Sequence, residues 1–110
     1  MRIYSETYRE ECDVFGISIS LERARAPFTI ITFYVKNPDM FGLGTADFSS
    51  SKIIDDKIGK DFRFHLFERG DGIMLLWDHF DSINHLARLI DLDPDAVGAF
   101  ENALRTRYPT

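Results

Sequence analysis

At 110 residues the chain has room for one domain with one hydrophobic core, and its 45% apolar content excludes a disordered chain. A single cysteine, Cys12, excludes an internal disulfide framework. The net charge of −5 argues against a phosphate-binding surface; residues 1–60 carry eight basic and nine acidic side chains and residues 61–110 five and nine, so the acidity belongs to the second half.

Residues 1–8 carry a weak strand pattern. Phe15, Ile17, Ile19 and Leu21 then alternate with Gly16, Ser18, Ser20 and Glu22, which predicts a half-buried strand with those four apolar side chains on one face. A turn over 22–27 holds Arg23 and Arg25. Residues 28–36 are apolar on both faces, with Phe28, Ile30 and Tyr34 on one and Ile31, Phe33 and Val35 on the other, so a central strand covered on both sides is expected. Asn37-Pro38-Asp39 and Gly42-Leu43-Gly44 bracket a loop, and 45–58 reads as one broken strand or two short ones. Phe62, Phe64 and Leu66 alternate with Arg63, His65 and Phe67, and the turn Gly70-Asp71-Gly72 leads into Ile73–Asp78 as a hairpin. The triplet Arg69-Gly70-Asp71 is turn chemistry here rather than a cell-adhesion motif.

From Phe80 the period changes to that of a helix. Phe80, Ile83, Ala87 and Ile90 fall on one face with Leu86 and Leu89 beside them, and Asp81 or Ser82 can cap the start. Asp93 as N-cap and Pro94 at the first position open a second helix, whose stripe is Val97, Phe100, Leu104 and Tyr108. Arg105 and Arg107 near its end suit the helix dipole. The expected fold is a single α+β domain over 1–110: an antiparallel sheet of about four to six strands (residues 1–78) with a C-terminal helical pair (about 80–92 and 94–107) packed on one face. Two short helices cover one sheet face only. The other must be curled over itself, covered by the 37–60 segment or covered by another chain, which points to homodimerisation or partner binding through the sheet.

Between Asp71 and Asp95 the chain sets Asp71, Asp78, Asp81, Asp91, Asp93 and Asp95 against one cation, Arg88. Such a stretch repels phosphate and suits a basic protein. Asp78, Asp81, Asp91, Asp93 and Asp95 are therefore the expected partner-binding residues. Asp78, His79, Asp81 and His85 include metal-ligating types, with Asp81 and His85 spaced i, i+4, but no third ligand stands in register, and no metal or cofactor is expected. No Gly-x-Gly-x-x-Gly or P-loop pattern occurs, Ser49-Ser50-Ser51 has no neighbouring base, and no nucleophile, base and orienting group can be assembled. Glu10, Glu11 and Asp13 blunt Cys12 as a nucleophile. The start Met1-Arg2-Ile3-Tyr4 has no apolar signal region, and no run suits a membrane span, so a cytoplasmic location is expected.

Residues 83–104 resemble a helix-turn-helix: Leu86, Ala87 and Ile90 fill the apolar and small positions of its first helix, Leu92 the turn, and Val97 and Phe100 the return packing. The resemblance implies a dimeric transcriptional regulator. It departs at the turn position usually held by Gly, read here as Asp91, and at the exposed opening of the second helix, Asp93, Pro94, Asp95, Gly98 and Ala99, where DNA reading wants basic or amide side chains. In size, charge and lack of catalytic motifs the chain is similar in character to bacterial immunity proteins against nuclease toxins and to phage anti-CRISPR inhibitors. The preferred expectation is a non-enzymatic inhibitor that blocks a basic, nucleic-acid-binding protein without binding nucleic acid itself.

Overall fold

A thirteen-residue strand, β2 (Glu10–Glu22), organises the sheet in the computed structural model, which describes residues 1–22, 28–67 and 70–107. The other elements are β1 (Arg2–Ser5), β3 (Phe28–Lys36), β4 (Gly44–Asp47), β5 (Ser51–Asp55), β6 (Phe62–Leu66), β7 (Gly72–Trp77), α1 (Ile83–Ile90) and α2 (Pro94–Arg107). All strand pairs are antiparallel. The α+β arrangement is the one the hydrophobic periods predict, with seven strands because 45–58 resolves into β4, a 3₁₀ turn (Phe48–Ser50) and β5. The expected 22–27 turn lies largely outside the described residues, as do Arg69 and Tyr108.

One edge of β2 pairs with β3 from Asp13 to Glu22, and β3 bonds on to β4. The other edge is divided. Glu10–Asp13 pairs with β1, which carries β5 outward, while Gly16–Ser20 pairs with β7, which carries β6. The sheet thus has two leaves on one spine. Between them the register of β2 against β3 slips by one residue: Val14 faces Val35, Gly16 faces Tyr34, and Phe15 is the extra residue of a β-bulge.

This bulge corrects the expected alternation. Cys12, Val14 and Ile17 belong with one core, whereas Phe15 packs into the other, because a single inserted residue reverses which side chains point each way. Phe15 therefore does not share a face with Ile17 and Ile19. Gly16, beside the bulge, is closely packed: a Cβ there would stand 2.7 Å from Leu76 Cδ2, and that side chain would have to move.

The near leaf curls on itself. β4 and β5 end the path β4-β3-β2-β1-β5, yet three residues join them, a reach of about 10 Å. The path must bend until its ends are neighbours. Its concave side encloses Ile3, Cys12, Val14, Phe33, Val35 and Ala46. The Tyr8 hydroxyl donates to the Thr45 carbonyl at 3.0 Å, tying the β1–β2 turn to β4.

The second core lies under the helices. Met74 and Leu76 of β7 meet Leu86 and Leu89 of α1 and Ala96, Val97 and Phe100 of α2, with Leu43 from the 37–43 loop. Ala87, expected on the buried stripe, is exposed; Leu86 and Leu89 take the centre, with Ile83 and Ile90 half-buried. Phe15, Trp77, Phe80 and Phe100 form an aromatic cluster, with Phe15–Trp77 centroids 5.3 Å apart and Phe80–Phe100 5.8 Å. Each buried phenylalanine is worth about 2 kcal/mol of transfer free energy.

Both helix starts are capped by their own side chains. Ser82 Oγ accepts from the His85 amide at 3.1 Å, and Asp93 Oδ1 accepts from the Ala96 and Asp95 amides at 3.1 and 3.0 Å. The end of α1 is a Schellman turn: the Asp93 amide donates to the Arg88 carbonyl and the Leu92 amide to the Leu89 carbonyl, both at 3.0 Å.

Candidate interaction surface

The five aspartates fall at two stations rather than one. Asp78 and Asp81 precede α1, while Asp91, Asp93 and Asp95 follow it, and an eight-residue helix separates the groups by about 12 Å. Asp71 lies at the other end of β7, about 20 Å from Asp78 along the strand. Asp78 Oδ1 accepts from Arg63 Nε at 2.9 Å; Arg63 comes from β6, so the cation that meets this acid was hidden by chain distance. Asp81 stands 3.3 Å from His85 Nδ1 with 84% of its side chain in solvent. Asp93 receives the Ala96 amide and, at 3.3 Å, Arg88, and these donors hold its carboxyl below the usual carboxylate range. Asp91 and Asp95 are exposed and meet no cation among the described residues.

His79 and His85 approach to 5.1 Å between ring centroids, and Trp77, Phe80 and Phe100 surround His79. The His79 Nε2 atom is enclosed without a hydrogen-bond partner. Burial, then the neighbouring His85, push its pKa down from 6.5, against a smaller opposing pull from Asp81. Among the described residues no group of three or more His, Cys, Asp or Glu side chains is placed to hold a metal ion. Nor is any helix among them long and apolar enough to cross a membrane.

The helix pair meets the helix-turn-helix comparison with one correction. The left-handed residue is Leu92, at φ 61°, and not Asp91, at φ −76°, because the Asp91 amide still bonds the Ala87 carbonyl and the helix ends one residue later. Asp95, Gly98 and Ala99 are exposed, so phosphates approaching the opening of α2 would meet a carboxylate, a bare glycine backbone and one methyl group.

The feature that sequence reasoning did not locate is the far leaf's apolar face. The registers set Ile31, Ile19, Ile73 and Leu66 in one row across β3, β2, β7 and β6. A second row is Phe33, Ile17, Leu75 and Phe64. Directly opposed residues share a face, so all eight side chains point away from Met74, Leu76 and the helices. Phe33 is buried in the near core, Ile31, Ile17, Ile73 and Leu75 are half-buried, and exposure is greatest on β6, at 68% for Phe64 and 76% for Leu66. At the tips, Ile19, Leu21, Thr29, Leu66 and Ile73 line an open groove of about 550 Å³ with Asp71 at its side. The alternation of Phe62, Phe64 and Leu66 was visible in the sequence; that Phe62 packs against the helix-side core while Phe64 and Leu66 stay exposed was not. No family model matches the chain, and neither a curated protein nor a solved structure does.

Proposed function

We propose that the chain is a non-enzymatic binding protein that blocks a basic protein partner, with the character of an immunity protein or an anti-CRISPR inhibitor. The observation that carries this reading is the pair of apolar rows ending in Phe64 and Leu66 on a sheet face the helices leave open. An exposed apolar patch of several side chains is the mark of a contact surface. Aromatic and aliphatic anchors supply the binding free energy, and charge supplies orientation and on-rate. The acids act through the second role. Asp78, Asp81, Asp91, Asp93 and Asp95 give the helical end its negative sign, and Asp71 stands beside the groove.

Affinity capture from the native cells tests this, with wild type and an Asp91→Lys/Asp95→Lys variant compared at low and moderate salt. The expected result is a stoichiometric basic protein, lost as salt rises and bound about tenfold more weakly by the variant, with a shallower salt dependence. Equal capture by both proteins would overturn the electrostatic part of the reading. Recovery of DNA, lost on changing Arg105 and Arg107, would favour the regulator instead.

A further inference from the structure

β6 is an open edge. It bonds to β7 on one side and, among the described residues, to no strand on the other. Sheet proteins blunt such edges with lysines, prolines, bulges or very short strands. β4 is four residues long and ends on Asp47. β5 carries Lys52 and Asp55 and runs on into Asp56, Lys57 and Lys60. β6, Phe62-Arg63-Phe64-His65-Leu66, has none of these devices, and its one permanent charge, Arg63, is already engaged by Asp78 at 2.9 Å. Its outer face side chains, Phe64 and Leu66, are among the most exposed apolar groups of the described residues.

The strand is also complementary to itself. Antiparallel pairing about Phe64 sets Phe64 opposite its own copy at the centre of the open face and Leu66 opposite Phe62 on both flanks, where Phe62 is already half-buried against the helix-side core. On the other face Arg63 meets His65, a cation with its own counter-ion opposite an imidazole. A slip of one residue would set Phe64 against Arg63 or His65 and reverse the faces.

We propose that β6 is the dimer edge of this protein: a second copy adds its β6 antiparallel about Phe64, and the two far leaves become one sheet. The row Phe33, Ile17, Leu75, Phe64 then continues into Phe64, Leu75, Ile17 and Phe33 of the second copy. Phe64 and Leu66 leave roughly 250 Å² of side chain in water per copy. That is well short of the roughly 800 Å² per partner of a standard stable interface, so the dimer is weak and forms with concentration. The inference rests on the open apolar face and not on a basic partner, so failure to capture a basic partner leaves it standing.

Sedimentation velocity over a concentration series from roughly 10 μM to about 1 mM tests it. Wild type is expected to shift from monomer to dimer, and Phe64→Lys and Leu66→Lys to stay monomeric with unchanged melting, since both side chains are mostly solvated. Monomer throughout for wild type overturns the proposal, and so does a dimer indifferent to both variants. Cross-linking reads the register. Cys12 is fully buried and burial pushes its thiol pKa up, so Phe64→Cys adds the one accessible thiol among the described residues. Under mild oxidation Phe64→Cys is expected to form a covalent dimer at least about tenfold faster than Ile54→Cys on the exposed β5 edge. Equal rates overturn the edge assignment. A dimer displaced by a partner's strand, with no cross-link at Phe64 at any concentration, does so too.

Discussion

His79 joins the sheet to the helices, and its chemistry makes that joint sensitive to pH. A histidine whose folded pKa lies below its unfolded value of 6.5 is neutral where the unfolded chain binds a proton. Its contribution to stability is complete above pH 6.5 and is lost as pH falls from there toward the folded pKa. The groups that face it are His85, Asp81 and the rings of Trp77, Phe80 and Phe100; Asp81 opposes the shift but does not reverse it. Urea midpoints at about pH 5 and pH 7.5 are expected to differ for wild type and to converge for His79→Phe. An unchanged difference in the variant would move the effect elsewhere. At this scale, local chemistry was legible and register was not. The capping roles of Ser82 and Asp93 were readable because the cap and its donor amides lie within three residues. The side on which Phe15 falls was not, since a bulge is set by what β3 and β7 present to β2. Gly16 was the available hint, as glycine inside a strand often marks one.

The turn between α1 and α2 shows how one element constrains another. Leu92 occupies the left-handed position of the Schellman turn at φ 61°, where glycine is usual. Gly42, itself at φ 74°, leaves the space that Leu92 enters, and a Cβ at Gly42 would come within 2.8 Å of Leu92 Cδ2. Gly42→Ala is expected to cost about 2 kcal/mol by chemical denaturation, from the left-handed backbone and the displaced leucine together. Gly98 is the contrast, since it lies on the exposed side of α2 with nothing within 4 Å of an added Cβ. Gly98→Ala is expected to stabilise by about 0.5–1 kcal/mol. Equal effects at the two sites would mean that the loop–helix contact contributes nothing. Both helices were legible from their period and caps, with α2 starting at Pro94 as read. The shift of the α1 stripe toward Leu86 and Leu89 was not, because the buried centre depends on the angle at which the helix meets Met74 and Leu76.

For the whole molecule, the divided edge of β2 sets where the fold is firm. β2, β7 and the Thr32–Val35 part of β3 have strand neighbours on both sides, whereas β5 and β6 have one each. Amide exchange is expected to be slowest in the first group and at least about a hundredfold faster in β5, and uniform protection would argue against two leaves on one spine. The sequence raised the right question at this scale, namely what covers the second face, and its answer is split. The near half is curled over itself, with β4 and β5 from the 37–60 segment closing the curl, and the far half stays open. Neither outcome is written locally, because curl and coverage depend on a three-residue connection between strands that lie at opposite ends of the path.

The bulge at Phe15 has a wider consequence, best put as a matter of parity. A strand is a two-state alternation, inside and outside, and one long strand would ordinarily hold one phase from end to end. Phe15 resets that phase midway, so the two halves of β2 obey opposite conventions for which positions must be apolar. The near core thus draws on Cys12 and Val14 before the bulge and Ile17 after it, while Phe15 serves the helix side. Deleting Phe15 would close Val14 and Gly16 into one regular ladder with every flanking side chain on its present face, and what the molecule would lose is the ring that the extra residue lends to the helix-side core.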